Sequence, residues 1–151
     1  MPPHTFSVGS VCSMTAPVIS IDGPVGSGKT TVGRVVAERY GFLCLDSGLF
    51  YRAAALVVLE NQVDPEDVPR VLEVSKSLNL DFLPSSTESS DVGVFNHGKE
   101  VTSALQTSEV EAIVSDISKL RGLRLQLLGV QRAFISRGGV VAIGRDIGTV
   151  V

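Results

Sequence analysis

Eight consecutive residues, Gly23-Pro24-Val25-Gly26-Ser27-Gly28-Lys29-Thr30, restrict what this chain can fold into more than any other stretch. They fit GxxxxGK[ST] in full and lie between an apolar run, Val18-Ile19-Ser20-Ile21, and a segment with Val32, Val35, Val36 and Tyr40 at helical spacing. A strand that ends in such a loop and reopens as a helix is the setting in which this pattern binds phosphate. Its glycines let successive backbone N–H groups turn inward around the α- and β-phosphates of ATP, where a side chain would block approach. Lys29 then puts a point charge on the β- and γ-phosphates, and the Thr30 hydroxyl holds the Mg²⁺ that bridges those oxygens. The expected nucleotide-binding set is Gly23, Pro24, Val25, Gly26, Ser27, Gly28, Lys29, Thr30 and Thr31, with Lys29 catalytic and Thr30 the metal ligand.

The rest of the chain alternates strand and helix signals around that loop. Val18 to Ile21 reads as a buried parallel strand, followed by a helix from about Lys29 that ends at Gly41. A strand at Phe42 to Leu45 leads into Asp46-Ser47, which cap a helix from about Leu49 to Glu60. Asp64-Pro65-Glu66 opens a helix carrying Val68, Val71, Leu72 and Leu78, with Pro69 in its first turn. The period then changes to two: Leu78, Leu80 and Phe82 alternate with polar residues, and Val92, Val94 and Val101 flank a turn at Asn96-His97-Gly98-Lys99. A small antiparallel β insert is expected over about 78–103. Ser108-Glu109-Val110-Glu111 has capping-box spacing, and a helix follows that breaks near Arg121-Gly122. Another resumes at Arg124 and stops at Gly138-Gly139, before a strand at Val140 to Ile143.

This pattern predicts an α/β fold, a three-layer parallel sheet of the P-loop NTPase type with helices on both faces, plus the antiparallel insert. With three core strands, the sheet is expected to be incomplete, since open doubly wound sheets usually hold more. Residues 1–16, rich in Pro, Ser, Thr and Gly, are expected to be a disordered extension, with Met14 an alternative start. The domain is expected over 17–151.

Bulk composition removes several function classes. A net charge of −3 argues against a nucleic-acid partner, while 13 Lys and Arg residues suffice for a small anionic substrate. Cys12 and Cys44 have no metal-ligand or disulfide spacing, and no apolar run approaches membrane-spanning length, so a cytoplasmic location off the membrane is expected. His4 and His97 are isolated and receive no role.

Three segments carry a resemblance. Pro17 to Pro24 with its loop, then Leu45-Asp46-Ser47-Gly48-Leu49-Phe50-Tyr51-Arg52, then Gly144-Arg145-Asp146-Ile147-Gly148-Thr149-Val150-Val151, are similar in identity and order to the signatures of the bacterial cytidylate kinase family. The likeness covers roughly residues 17–151. It implies transfer of the ATP γ-phosphoryl to CMP or dCMP, giving ADP and CDP or dCDP, with a nucleoside-monophosphate-binding region over 48–137. By matching position, Ser47, Tyr51 and Arg52 would contact the acceptor, Arg52 through its monophosphate. Arg124 resembles a second monophosphate-binding arginine, although Arg121 and Arg132 lie near it in sequence. Ser115 resembles a residue near the cytosine edge, and reads equally as a small polar helix residue. Arg145 and Asp146 resemble the pair on monophosphate and sugar; a carboxylate after a core strand also suits Mg²⁺, and the sugar is preferred. Asp46 reads as a cap or as a catalytic group. Gln106 departs from the family, many of whose members have arginine there.

The family's mobile lid follows the third core strand, so the lid arginines, the last strands and the adenine-contacting loop are expected to be missing. A carboxyl-truncated kinase is therefore expected, monomeric where the full domain is present. The alternatives are a nucleotide-binding module with little or no turnover, and a P-loop kinase for another small acceptor.

Overall fold

The computed structural model describes residues 16–85 and 92–151. The expected N-terminal extension lies outside the described residues, apart from Ala16. In chain order the elements are β1 (Val18–Asp22), α1 (Lys29–Tyr40), β2 (Leu43–Asp46), α2 (Gly48–Glu60), α3 (Val68–Ser75), β3 (Leu80–Pro84), β4 (Val92–Asn96) and β5 (Lys99–Glu100). A 3₁₀ turn at Ala104–Gln106 follows, then α4 (Ser108–Ile117), α5 (Arg121–Ile135) and β6 (Val140–Gly144).

The strand latest in sequence is the centre of the main sheet. Its order is β1-β6-β2, all parallel, with Val18 and Leu43 both registered on Val140. Every residue of β6, Val-Val-Ala-Ile-Gly, is buried, as expected of an apolar run covered on both faces. Alternation assigns its side chains to two layers. Val141 and Ile143 pack with Cys44 and with Ala37 of α1, while Val140 and Ala142 join a larger cluster with Phe50, Val58, Leu127 and Phe134 from α2 and α5. Helices thus cover both faces of a sheet with three described parallel strands, as expected.

The insert forms a second sheet, β3-β4-β5, antiparallel, with His97 (φ 51°) and Gly98 (φ 76°) forming the tight turn between β4 and β5. It is joined to the main core by a chain of rings. Phe82 lies 4.8 Å from Phe50 and 4.9 Å from Phe134, centroid to centroid.

Several boundaries differ from expectation, each for a local reason. β1 alternates exposed and half-buried residues instead of being buried, because among the described strands it is an edge. The segment opened by Asp64 is first a turn, with Asp64 Oδ1 accepting from Glu66 N; α3 starts later, capped by Asp67, and Leu78 lies beyond it. Thr107, not Ser108, caps α4, its hydroxyl accepting from Val110 N. α5 begins at Arg121 and includes Gly122, where a Cβ would meet Leu72 Cδ1 at 2.8 Å. Close packing on α3, not a helix break, accounts for that glycine.

Candidate active site

The phosphate loop occupies the expected connection between β1 and α1. Gly26 (φ 77°) and Gly28 (φ 84°) take left-handed conformations that L side chains rarely adopt. Ser27 N donates to Pro24 O at 3.3 Å and Val32 N to Gly28 O at 3.1 Å, so the loop passes directly into the first turn of α1. Lys29 Nζ folds back across the loop and donates to Pro24 O at 3.0 Å. Thr30 and Thr31 are exposed in that first turn. At the helix N-terminus the free N–H groups and the dipole favour an anion.

β6 delivers the next part of the site. An open cavity of about 680 Å³ is lined by Asp22, Gly23, Pro24, Val25 and Arg145. Gly23 N donates to Gly144 O at 3.1 Å, tying the start of the loop to the end of β6. A Cβ on Gly144 would lie 2.4 Å from Ser47 Oγ, so the absence of a side chain there lets Ser47 sit against the end of β6. Asp146 is exposed beside Arg145, and its carbonyl accepts from Val150 N at 2.9 Å.

Asp46, the residue with two expected roles, acts locally: its Oδ1 accepts from Gly48 N at 2.8 Å and steadies the entry to α2. Ser47 takes the N-cap position without a side-chain capping bond, which leaves its hydroxyl free of that duty.

α2 carries Tyr51 and Arg52 on to a second cluster. Burial pushes the Tyr51 phenol above its ordinary 10.0, and the positive charge of Arg124 opposes that shift, so these two expected site residues lie within electrostatic reach. Arg52 Nη1 donates to Leu105 O at 3.1 Å and Nη2 to Glu111 Oε2 at 2.5 Å, with about a third of the arginine side chain exposed (31%). Ser115 is exposed on α4, four residues after Glu111 and so on the same helical face.

The structure therefore groups Arg145 and the phosphate loop around one cavity, Ser47 at the end of the strand that precedes Arg145, and Tyr51 with Arg124. Arg132 does not join them: its Nε and Nη2 donate to Val151 O and Val150 O, at 3.0 and 2.6 Å. Two neighbours had no expected role. Asp22 was legible as a carboxylate at the end of the strand before the loop, a position that faces the site in open α/β sheets. Glu111 reads in sequence as part of a capping box, which hid its pairing with Arg52.

A family model for cytidylate kinase matches residues 19–151. The chain belongs to the cytidylate kinase family. It is 42% identical over 135 residues to a bifunctional pantoate ligase/cytidylate kinase of Synechocystis sp., an alignment taking in 89% of this chain and 26% of that protein. It is 38% identical over 133 residues to a cytidylate kinase of Limosilactobacillus reuteri, with 88% of this chain and 57% of that one covered. With a cytidylate kinase of Roseiflexus castenholzii the identity is 42% over 141 residues, covering 91% and 61%. The chain thus spans between 26% and 61% of the length of these relatives. The cytidylate kinase match takes in the phosphate loop, the cavity with Arg145, the β insert and the α4–α5 pair alike. Among the described residues no group of His, Cys, Asp or Glu has the grouping of a metal site, and no helix is long and apolar enough to cross a membrane.

Proposed function

We propose that this chain carries out, or contributes the phosphate loop and acceptor pocket to, transfer of the ATP γ-phosphoryl to CMP or dCMP. A phosphate oxygen of the acceptor attacks the γ-phosphorus in line, and the bond from that phosphorus to the β–γ bridging oxygen breaks, giving ADP and CDP or dCDP. The observation that carries this reading is that Arg145 lines the same cavity as Gly23, Pro24 and Val25, in a chain whose family match runs over 19–151.

The residues present divide the work by chemistry. The backbone of Gly23 to Thr31 and the N-terminus of α1 hold the donor phosphates, and Lys29 exchanges the Pro24 carbonyl for phosphate oxygens. Arg52, Arg124 and Arg145 hold the acceptor monophosphate; the five N–H donors of Arg52 leave three after Leu105 and Glu111 are served. Tyr51 lies alongside, Ser47 and Ser115 contact the nucleoside, and Asp146 takes the sugar. Catalysis by this set is positioning and electrostatics without a covalent intermediate.

The donor set also fits Mg²⁺. A hard cation of this kind is usually bound by one or two protein groups together with substrate phosphates, and an exposed Thr30 hydroxyl beside the phosphate loop meets that requirement. Bound there, Mg²⁺ supplies charge neutralisation on the β- and γ-oxygens. The nucleoside-monophosphate-binding region spans 48–137, the protein works in the cytoplasm and is monomeric where the full domain is present, and neither nucleic acid, in keeping with the net charge of −3, nor a membrane is a partner.

Titration with ATP and with CMP, set beside a turnover assay, tests the proposal. Binding of both with turnover identifies the enzyme. Binding of both without turnover identifies a nucleotide-binding module instead.

A further inference from the structure

A carboxylate that received no role in the sequence ties the two halves of the proposed site together. Asp22 ends β1 and directly precedes Gly23, the first residue of the phosphate loop. Its Oδ1 accepts from Ile147 N at 2.6 Å and its Oδ2 from Gly148 N at 2.9 Å, across more than 120 residues of sequence. Both oxygens are thus used on two consecutive backbone donors of the turn that starts with Arg145 and Asp146. Charge-assisted bonds of this kind are roughly twice as strong as neutral ones. The turn is shaped to receive them: a Cβ on Gly148 would lie 3.1 Å from Asp22 Oδ2 and from Ser20 Oγ, so a side chain there would press the turn away from β1. On its far side the same turn is held by Arg132, through the carbonyls of Val150 and Val151.

Resting on the function proposed above, we propose that Asp22 is a positioning residue that fixes the Arg145–Asp146 turn to the phosphate loop and so registers the acceptor monophosphate against the donor. Asp22 acts through this turn and not on the nucleotide. Gly23 N on Gly144 O adds a backbone tie at the same junction, so the loop and the turn move as one unit.

Asp22→Asn tests the clamp. The amide keeps one acceptor and sets an N–H₂ against a backbone N–H, losing one bond and opposing donor to donor. The expected result is faster hydrogen exchange at the Ile147 and Gly148 amides, by about 10- to 100-fold, as loss of one hydrogen bond to a charged group implies. The KM for CMP rises by a similar factor, whereas the KM for ATP changes little. Gly148→Ala, which leaves the carboxylate intact and displaces the turn, reproduces this pattern, and the double variant is no worse than the single ones. Unchanged exchange at both amides in Asp22→Asn overturns the clamp, as does an equal loss of ATP and CMP affinity in soluble, folded protein. The exchange readout needs no substrate, so failure of the wild type to use CMP counts against the proposed reaction and leaves the clamp to be judged on the amides.

Discussion

Lys29 and Arg52 both rest on protein acceptors, Lys29 on Pro24 O at 3.0 Å and Arg52 on Leu105 O and Glu111. In the proposed reaction phosphate oxygens take the place of these acceptors, and the following two variants test that exchange. Lys29→Met is expected to lower phosphoryl transfer by about 10²- to 10³-fold, the size of one preorganised donor, while CMP affinity stays as it is. Arg52→Ala is expected to raise the KM for CMP about 10- to 100-fold with little change for ATP, which steady-state kinetics in both substrates will show. Tyr51 adds a pH dependence. Its folded-state pKa lies above the ordinary 10.0 because burial disfavours the phenolate, so between the two values the folded protein binds more protons than the unfolded chain. The stabilisation from the buried phenol is complete below pH 10 and is lost as pH rises through the folded value. Stability, measured by denaturation across pH 9 to 12, is expected to fall off less steeply in Tyr51→Phe than in the wild type.

The β insert is bound to the main domain by packing, and Phe82 is its anchor, 3% exposed and in contact with rings from α2 and α5. Phe82→Ala is expected to cost about 3–5 kcal/mol and to lower the single unfolding midpoint, since the insert and the parallel sheet share one core. Two separate transitions in calorimetry would contradict that shared core. At this scale the sequence was most legible where one physical signal dominated. The apolar run at 140–143, the phosphate-loop glycines and the tight turn at His97-Gly98 each specify their element almost alone. It was least legible where several residues offered the same chemistry. Thr107 and Ser108 both suit a helix cap, and the tertiary demand of Arg52 for Glu111 took away the glutamate that a capping box at Ser108 needs. The exposure of β1 depends on which strands flank it, and no residue within Val18–Asp22 encodes that. The Asp22 clamp was hidden for the same reason, because its donors lie 125 and 126 residues away.

Over the whole molecule, β6 brings the last described strand between the first two and sets the phosphate loop beside the Arg145 turn. Every proposed contact to the donor phosphates and the acceptor lies within 23–146, inside the matched residues 19–151, while the relatives extend well beyond the portion matched here. The phosphate chemistry stands on the loop itself; the choice of acceptor rests on the family together with Ser47, Tyr51, Arg52 and Arg145. The measurement that meets that division directly is phosphoryl transfer from labelled ATP with Mg²⁺ to CMP, dCMP, UMP and AMP in parallel, with Lys29→Met as control. Labelled CDP or dCDP formed in preference to the other products, and absent with the control, is the predicted result. A preference for AMP, or binding of CMP with no product from any acceptor, would contradict a cytidylate kinase activity in this chain.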